Sequence, residues 1–181
     1  MLATSAAHGE ARTIDAKRST MTVLVGKTGL FSAFGDNHVV RAPIASGKVE
    51  EGPPASVELT VDARGMTVLD PDFAPEKRAE VQKRMLGPEV LDVEKHPEIR
   101  FRSKSVTDAG NGRFRVEGVL ELRGKSGPVA FDVSAADGRV KGSAVVSQKA
   151  FGIQPIRVAG GTVNVKDELV IDFDIVTEPA R

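Results

Sequence analysis

From Ile99 to Val176 the chain alternates apolar and polar residues with a period of two. Ile99 and Phe101 alternate with Arg100 and Arg102. Phe114, Val116, Gly118, Leu120 and Leu122 share one face of the next run, against Arg115, Glu117 and Glu121. Val129, Phe131 and Val133 follow, then Val140, Gly142, Ala144 and Val146, and last Leu169, Ile171, Phe173 and Ile175 against Asp172 and Asp174. A period of two puts successive side chains on opposite faces of a strand, so each run has one face for an apolar interior and one for water. Turn-forming residues separate the runs: Gly110-Asn111-Gly112, Gly124-Lys125-Ser126-Gly127 and Asp137-Gly138. Short strands joined by short turns make an all-β fold, either a sandwich or a barrel. The barrel leaves no exposed edge, and one of eight strands has room for a single small ligand.

The N-terminal half adds strands and one helix. Arg12 to Gly26 reads as extended. Val39 to Val49 resumes extension and is interrupted by Pro43, which suits an edge or a bulge. Ser56 to Val61 alternates cleanly, with Val57, Leu59 and Val61 inward. Pro75 to Leu86 is helical: proline suits the first turn, Glu76 lies in the positive end of the dipole, Lys83 and Arg84 lie near the negative end, and Gly87-Pro88 stops it. Its apolar face is weak, so it is expected to cap the sheet from outside. His96-Pro97 then forces the chain out of its turn in an extended conformation, into the Ile99 strand.

Composition excludes several function classes. The chain has 181 residues, enough for one domain with a core, and 25 basic residues against 25 acidic ones, so the basic excess of a nucleic-acid binder is missing. Absence of cysteine removes disulfides, thiolate metal sites and cysteine nucleophiles. No apolar run reaches membrane-spanning length. Leu2 to Ala7 looks like the small-residue end of an export signal, without the basic and apolar regions before it. The serines lie outside any Gly-x-Ser-x-Gly elbow, and Gly29 to Gly35 fits no phosphate-loop template.

The order of elements carries a family likeness. A strand and a Gly-rich apolar loop are followed by a hairpin, the run Ser-Val-Glu-Leu-Thr-Val-Asp-Ala, a capping helix and the stretch LDVEKHPEIRFRSKSV. Then come VEGVLELRGKSGPVAFDV and the Phe151-Gly152-Ile153 loop. This resembles the YceI-like family of polyisoprenoid-binding proteins over residues 12–177, with residues 1–11 and 178–181 as tails. Lys95-His96-Pro97 with the Phe101 strand is the most specific piece. The sequence departs from the family pattern at Arg84 to Val90 and at Phe31 to Gly35, and Ala150 replaces an acid; these departures bear on ligand identity rather than fold. The resemblance implies an eight-stranded antiparallel lipocalin-like barrel with one capping helix around 75–86. It further implies non-catalytic binding or transport of a long isoprenoid-type lipid, such as a polyisoprenoid or an isoprenoid quinone, with no other cofactor, no nucleic-acid partner and room for a homodimer. It points to the periplasm, whereas a start at Met1 reads as cytoplasmic.

A polyisoprenoid offers almost no hydrogen bonding, so its site must work by shape and apolar burial. An isoprene unit buries on the order of 100 Å², about 2.5 kcal/mol gross, before ordering costs. The expected lining is Leu30, Phe31, Phe34, Val57, Leu59, Met66, Met85, Leu86, Phe101, Leu120, Phe131, Phe151, Ile153 and Phe173. The competing reading is that these side chains fill a solid core, leaving an interaction module without a ligand. The helix and the 29–36 loop are expected to gate access. His38, beside Asp36 and Asn37, is a candidate headgroup contact or, with Asp36, the base of a small enzyme acting on an apolar substrate. A metal usually needs three or four protein ligands, and the chain offers two plausible histidines, His38 and His96, plus carboxylates, so no metal site is expected.

Overall fold

The computed structural model describes residues 10–28, 37–158 and 163–180. Among these residues twelve strands form one sheet: β1 (Ala11–Ile14), β2 (Thr20–Thr28), β3 (His38–Arg41), β4 (Ile44–Glu50), β5 (Ser56–Asp62), β6 (Thr67–Val68), β7 (Glu98–Gly110), β8 (Arg113–Leu122), β9 (Lys125–Ala136), β10 (Arg139–Ser147), β11 (Arg157–Val158) and β12 (Val163–Pro179). All pairings are antiparallel, and the order β1-β4-β5-β7-β8-β9-β10-β12 returns to β1, which closes an eight-membered ring. Arg12 lies opposite Pro179 at the seam, so the paired region runs past Val176 to Pro179.

Some of these strands are halves of one stave. The expected strand from Arg12 to Gly26 breaks into β1 and β2 because Asp15 turns the chain: its Oδ1 accepts the Lys17 and Arg18 amides at 2.9 and 3.2 Å. Pro43 separates β3 from β4, and the register shifts between Ile44 and Ser46. The first half of the broken stave, β1, pairs with β4 and the second, β2, with β3.

Three hairpins turn on residue pairs with positive φ: Asn111-Gly112, Arg123-Gly124 and Asp137-Gly138. Both central residues are then left-handed, which matches strand twist. The β8–β9 turn falls one residue earlier than the glycines suggest, because Leu122 pairs with Lys125. That leaves Lys125, Ser126 and Gly127 as strand.

The helix α1 spans Pro75–Leu86 and buries no residue fully. Val81, Met85 and Leu86 rest against the core. Gln82 fastens the helix to β6: its Nε2 donates to the Met66 carbonyl and its Oε1 accepts the Val68 amide, both at 2.7 Å. The link between β5 and β7, which contains α1, lies at one end of the barrel, together with the β8–β9 turn and a 3-10 turn at Lys149–Phe151. Arg123 ties these pieces together, donating to the carbonyls of Gly152 at 2.8 Å and Pro88 at 2.6 Å. Leu91, Val93, Met66, Phe151 and Ile153 are buried here. We call this end the floor. The other end carries the 51–55, Asn111-Gly112 and Asp137-Gly138 turns.

Candidate functional site

A cavity of about 570 Å³ occupies the barrel. Inward residues of the staves line it, because the strand period aims alternate side chains at the axis. On β8 these are Phe114, Val116, Leu120 and Leu122; on β9, Val129, Phe131 and Val133; on β12, Leu169, Ile171, Phe173 and Ile175. From Phe114 to Leu122 the lining covers about 27 Å of strand, or about 20 Å along the axis at the usual tilt of roughly 35–45°. The cavity is therefore elongated.

Three rings form a band across one side of the wall. The centroids of Phe101 and Phe131 are 5.4 Å apart, and those of Phe131 and Phe173 are 5.5 Å apart. They come from β7, β9 and β12, and the strands between them supply glycine at this level. An ideal Cβ on Gly118 of β8 would stand 2.6 Å from Phe101 Cζ, and one on Gly142 of β10 would stand 2.7 Å from Phe173 Cζ. The missing side chains let the rings lie against the wall rather than project across the lumen.

Among the described residues the lining's polar residues are Glu50, Glu51, Ser56, Asp137, Arg139 and Thr177, and all belong to the end with the 51–55 and Asp137-Gly138 turns. That end is the mouth. Arg139 Nε donates to Asp174 Oδ1 at 2.6 Å, and Lys141 Nζ is 3.3 Å from the other oxygen. The Arg139 hydrogen bond holds the Asp174 carboxyl below the usual carboxylate range and raises the guanidinium in turn. Arg12 donates to Thr177 Oγ1 at 2.9 Å and lies 3.5 Å from Glu51.

Of the residues expected to line the site, Val57, Leu59, Met66, Phe101, Leu120, Phe131 and Phe173 face the cavity. Phe151 and Ile153, each 2% exposed, are packed into the floor, and Met85 and Leu86 lean on the core from α1. Leu30, Phe31, Phe34 and Asp36 lie outside the described residues, as does the 29–36 gate. No residue of α1 lines the cavity, so the helix braces the closed floor and does not gate the mouth.

His38 also stands off the cavity. Its Nδ1 lies 2.5 Å from Oδ2 of Asp70, a buried residue whose Oδ1 accepts the Val39 amide at 2.8 Å. Phe73 meets the imidazole edge-on at 5.4 Å. The cluster pins β3 to the segment entering α1. The partner of His38 is thus distant in sequence, and nothing local in the chain signals it. The His96 ring packs under Gly124, where an added Cβ would come within 2.7 Å. Among the described residues no group of three or more His, Asp or Glu could hold a metal. Likewise no described helix is long and apolar enough to cross a membrane.

A YceI-like domain model matches residues 13–177. No curated protein sequence matches. Among solved structures, BcnA of Burkholderia cenocepacia superposes with a TM-score of 0.72 at 19% identity, covering 90% of this chain and 98% of its own. A polyisoprenoid binding domain from Saccharophagus degradans, implicated in plant cell wall breakdown, gives 0.65 at 13%, covering 94% and 99%. A Campylobacter jejuni YCEI protein gives 0.54 at 12%, covering 86% and 84%. At these identities the structural likeness is one of fold.

Proposed function

Because this chain belongs to the YceI-like domain family, we propose that it holds one long, apolar lipid of isoprenoid type inside its barrel and carries it without chemical change. The observation that carries this reading is the elongated apolar cavity, sealed at its floor and polar only at its mouth. A hydrocarbon chain in it would shed its contact with water along its whole length, and its polar end would stay at the rim. The polyisoprenoid-binding description of the Saccharophagus degradans domain supports isoprenoid as the lipid class. Holding without turnover is supported by the placement of ionisable groups: among the described residues those in the lining are confined to the mouth, and the His38–Asp70 pair lies elsewhere. Among the described residues no group positioned for proton transfer flanks the apolar stretch where a chain would lie.

The chain has neither tryptophan nor tyrosine. Phe131→Trp therefore installs a single fluorophore in the lumen. Titrating this variant with an uncharged isoprenoid such as geranylgeraniol is expected to change its emission saturably at a one-to-one ratio. Solvent extraction of the purified wild-type protein, followed by mass spectrometry, is expected to release an amphiphile with a long hydrocarbon part. An unchanged emission together with a lipid-free extract would overturn the reading.

A further inference from the structure

The proposed lipid's polar end must sit at the mouth, because the floor is closed by apolar side chains and the lining's polar residues gather at the other end. The charges there decide what that end can be. The turns in the lining contribute two carboxylates, Glu51 and Asp137, whereas Glu50 and Arg139 alternate with the inward Val49 and Val140 and carry their side chains to the outer face. The Arg139 guanidinium already donates to Asp174 at 2.6 Å. Arg12, just behind the rim, is turned to Thr177 Oγ1 at 2.9 Å, the Thr177 carbonyl at 3.2 Å and Glu51 at 3.5 Å. Lys48 is bonded to Glu50, and Lys141 is 3.3 Å from Asp174. Arg113 alternates with the inward Phe114, so its side chain leaves the barrel on the outer face. Nearby, Glu10 lies 3.9 Å from Arg12 and Glu178 lies 3.4 Å from Arg18. The cations of the rim are thus committed to the protein's own carboxylates and carbonyls or turned away, while the turns add the carboxylates Glu51 and Asp137 to the lining. A phosphate or diphosphate would meet like charge beside a low-dielectric lumen, with no bidentate arginine to receive it.

We infer that the mouth selects lipids whose polar end is uncharged, a hydroxyl or a carbonyl, over their phosphorylated forms. The inference rests on the lipid-holding reading and sharpens it to a ligand class. Backbone groups suffice for such an end, and the turn glycines Gly52, Gly112 and Gly138 belong to the lining at the rim.

The test is competition. The full chain is loaded with N-phenyl-1-naphthylamine, an uncharged fluorescent probe, at low salt and neutral pH. It is then titrated with geranylgeraniol or geranylgeranyl diphosphate below their micelle-forming concentrations. The alcohol is expected to displace the probe at a concentration at least about tenfold lower than the diphosphate. Added salt is expected to narrow that gap. The double variant Glu51→Gln with Asp137→Asn keeps both shapes, and asparagine tolerates the left-handed turn position of Asp137. It is expected to bind the diphosphate several-fold more tightly and so to narrow the gap between the two ligands. Equal or tighter binding of the diphosphate by the wild-type protein would overturn the inference and leave the lipid-holding reading standing. Displacement by neither compound would overturn the lipid-holding reading, and the inference with it.

Discussion

Gly142 shows how one residue keeps the lumen open. A methyl group there would meet Phe173 Cζ at 2.7 Å, the Asp132 carbonyl at 2.9 Å and Val133 Cγ1 at 2.9 Å. Replacing a strand glycine by alanine ordinarily gains about 0.5–1 kcal/mol in backbone entropy. Overpacking of this kind costs about 1–3 kcal/mol, because ring and strand must move together. The second effect is larger, so Gly142→Ala is expected to lower the urea midpoint with an unchanged slope. It should also reduce uptake of an apolar probe, since the displaced Phe173 ring can move only into the lumen. A midpoint equal to or above that of the wild-type protein would show that the ring is not held against the wall by the missing side chain. Gly118, under Phe101 and against the Arg102 carbonyl, is the same device on β8. In the sequence both glycines read as members of an inward face. Their pairing with rings on neighbouring strands depends on register, and hydropathy alone does not set register.

At the scale of elements, polar clips add to the apolar packing that docks α1 on the floor. The helix α1 buries no residue fully, and its docking relies on Gln82. The amide of this side chain serves as a short strand for β6, satisfying one carbonyl and one N–H. Gln82→Leu keeps the volume but leaves both backbone groups without that partner, an expected loss of about 1–3 kcal/mol. Hydrogen exchange of the Val68 amide checks it: exchange should quicken locally, with little change at β8 and β9. Unchanged exchange at Val68 would mean that the helix is held by other contacts. Helix bounds were legible in the sequence because Pro75, Glu76, Lys83, Arg84 and Gly87 are local signals read without knowledge of the fold. The role of Gln82 was not, since its partners at Met66 and Val68 lie across a turn and a loop. The same holds for Asp70 and His38, which are 32 residues apart. Broken staves were half legible: Pro43 announces its break, whereas the one at Asp15 comes from an aspartate indistinguishable in sequence from its neighbours.

Over the whole molecule, closure and hollowness are separate properties. Closure follows from the ring of pairings, with β12 bridging β10 and the seam strand β1. Alternation in the sequence foretells which side chains face inward, and Phe101, Leu120, Phe131 and Phe173 do. It is silent on whether they meet one another or a void. The burial pattern distinguishes the two. Floor residues such as Ala63, Val68, Phe151 and Ile153 are buried, whereas Leu59, Phe101, Leu120, Val129, Phe131 and Phe173 point inward yet are only half-buried. Their remaining exposed surface belongs to the lumen, and a lipid would cover it. Such a ligand binds the folded barrel and has no site on the unfolded chain, so it must stabilise the fold by mass action. At about a hundred times its dissociation constant the gain is about 2.7 kcal/mol. For a domain of this size that raises the melting temperature by roughly 5–10 °C. The melting temperature should then climb further with each tenfold increase in lipid, without a plateau, as linkage requires. Lipid-stripped protein should melt lowest, because its lumen lining has no contact partner. A melting temperature indifferent to geranylgeraniol across that range would mean that the inward rings already satisfy one another and that the barrel is a filled scaffold.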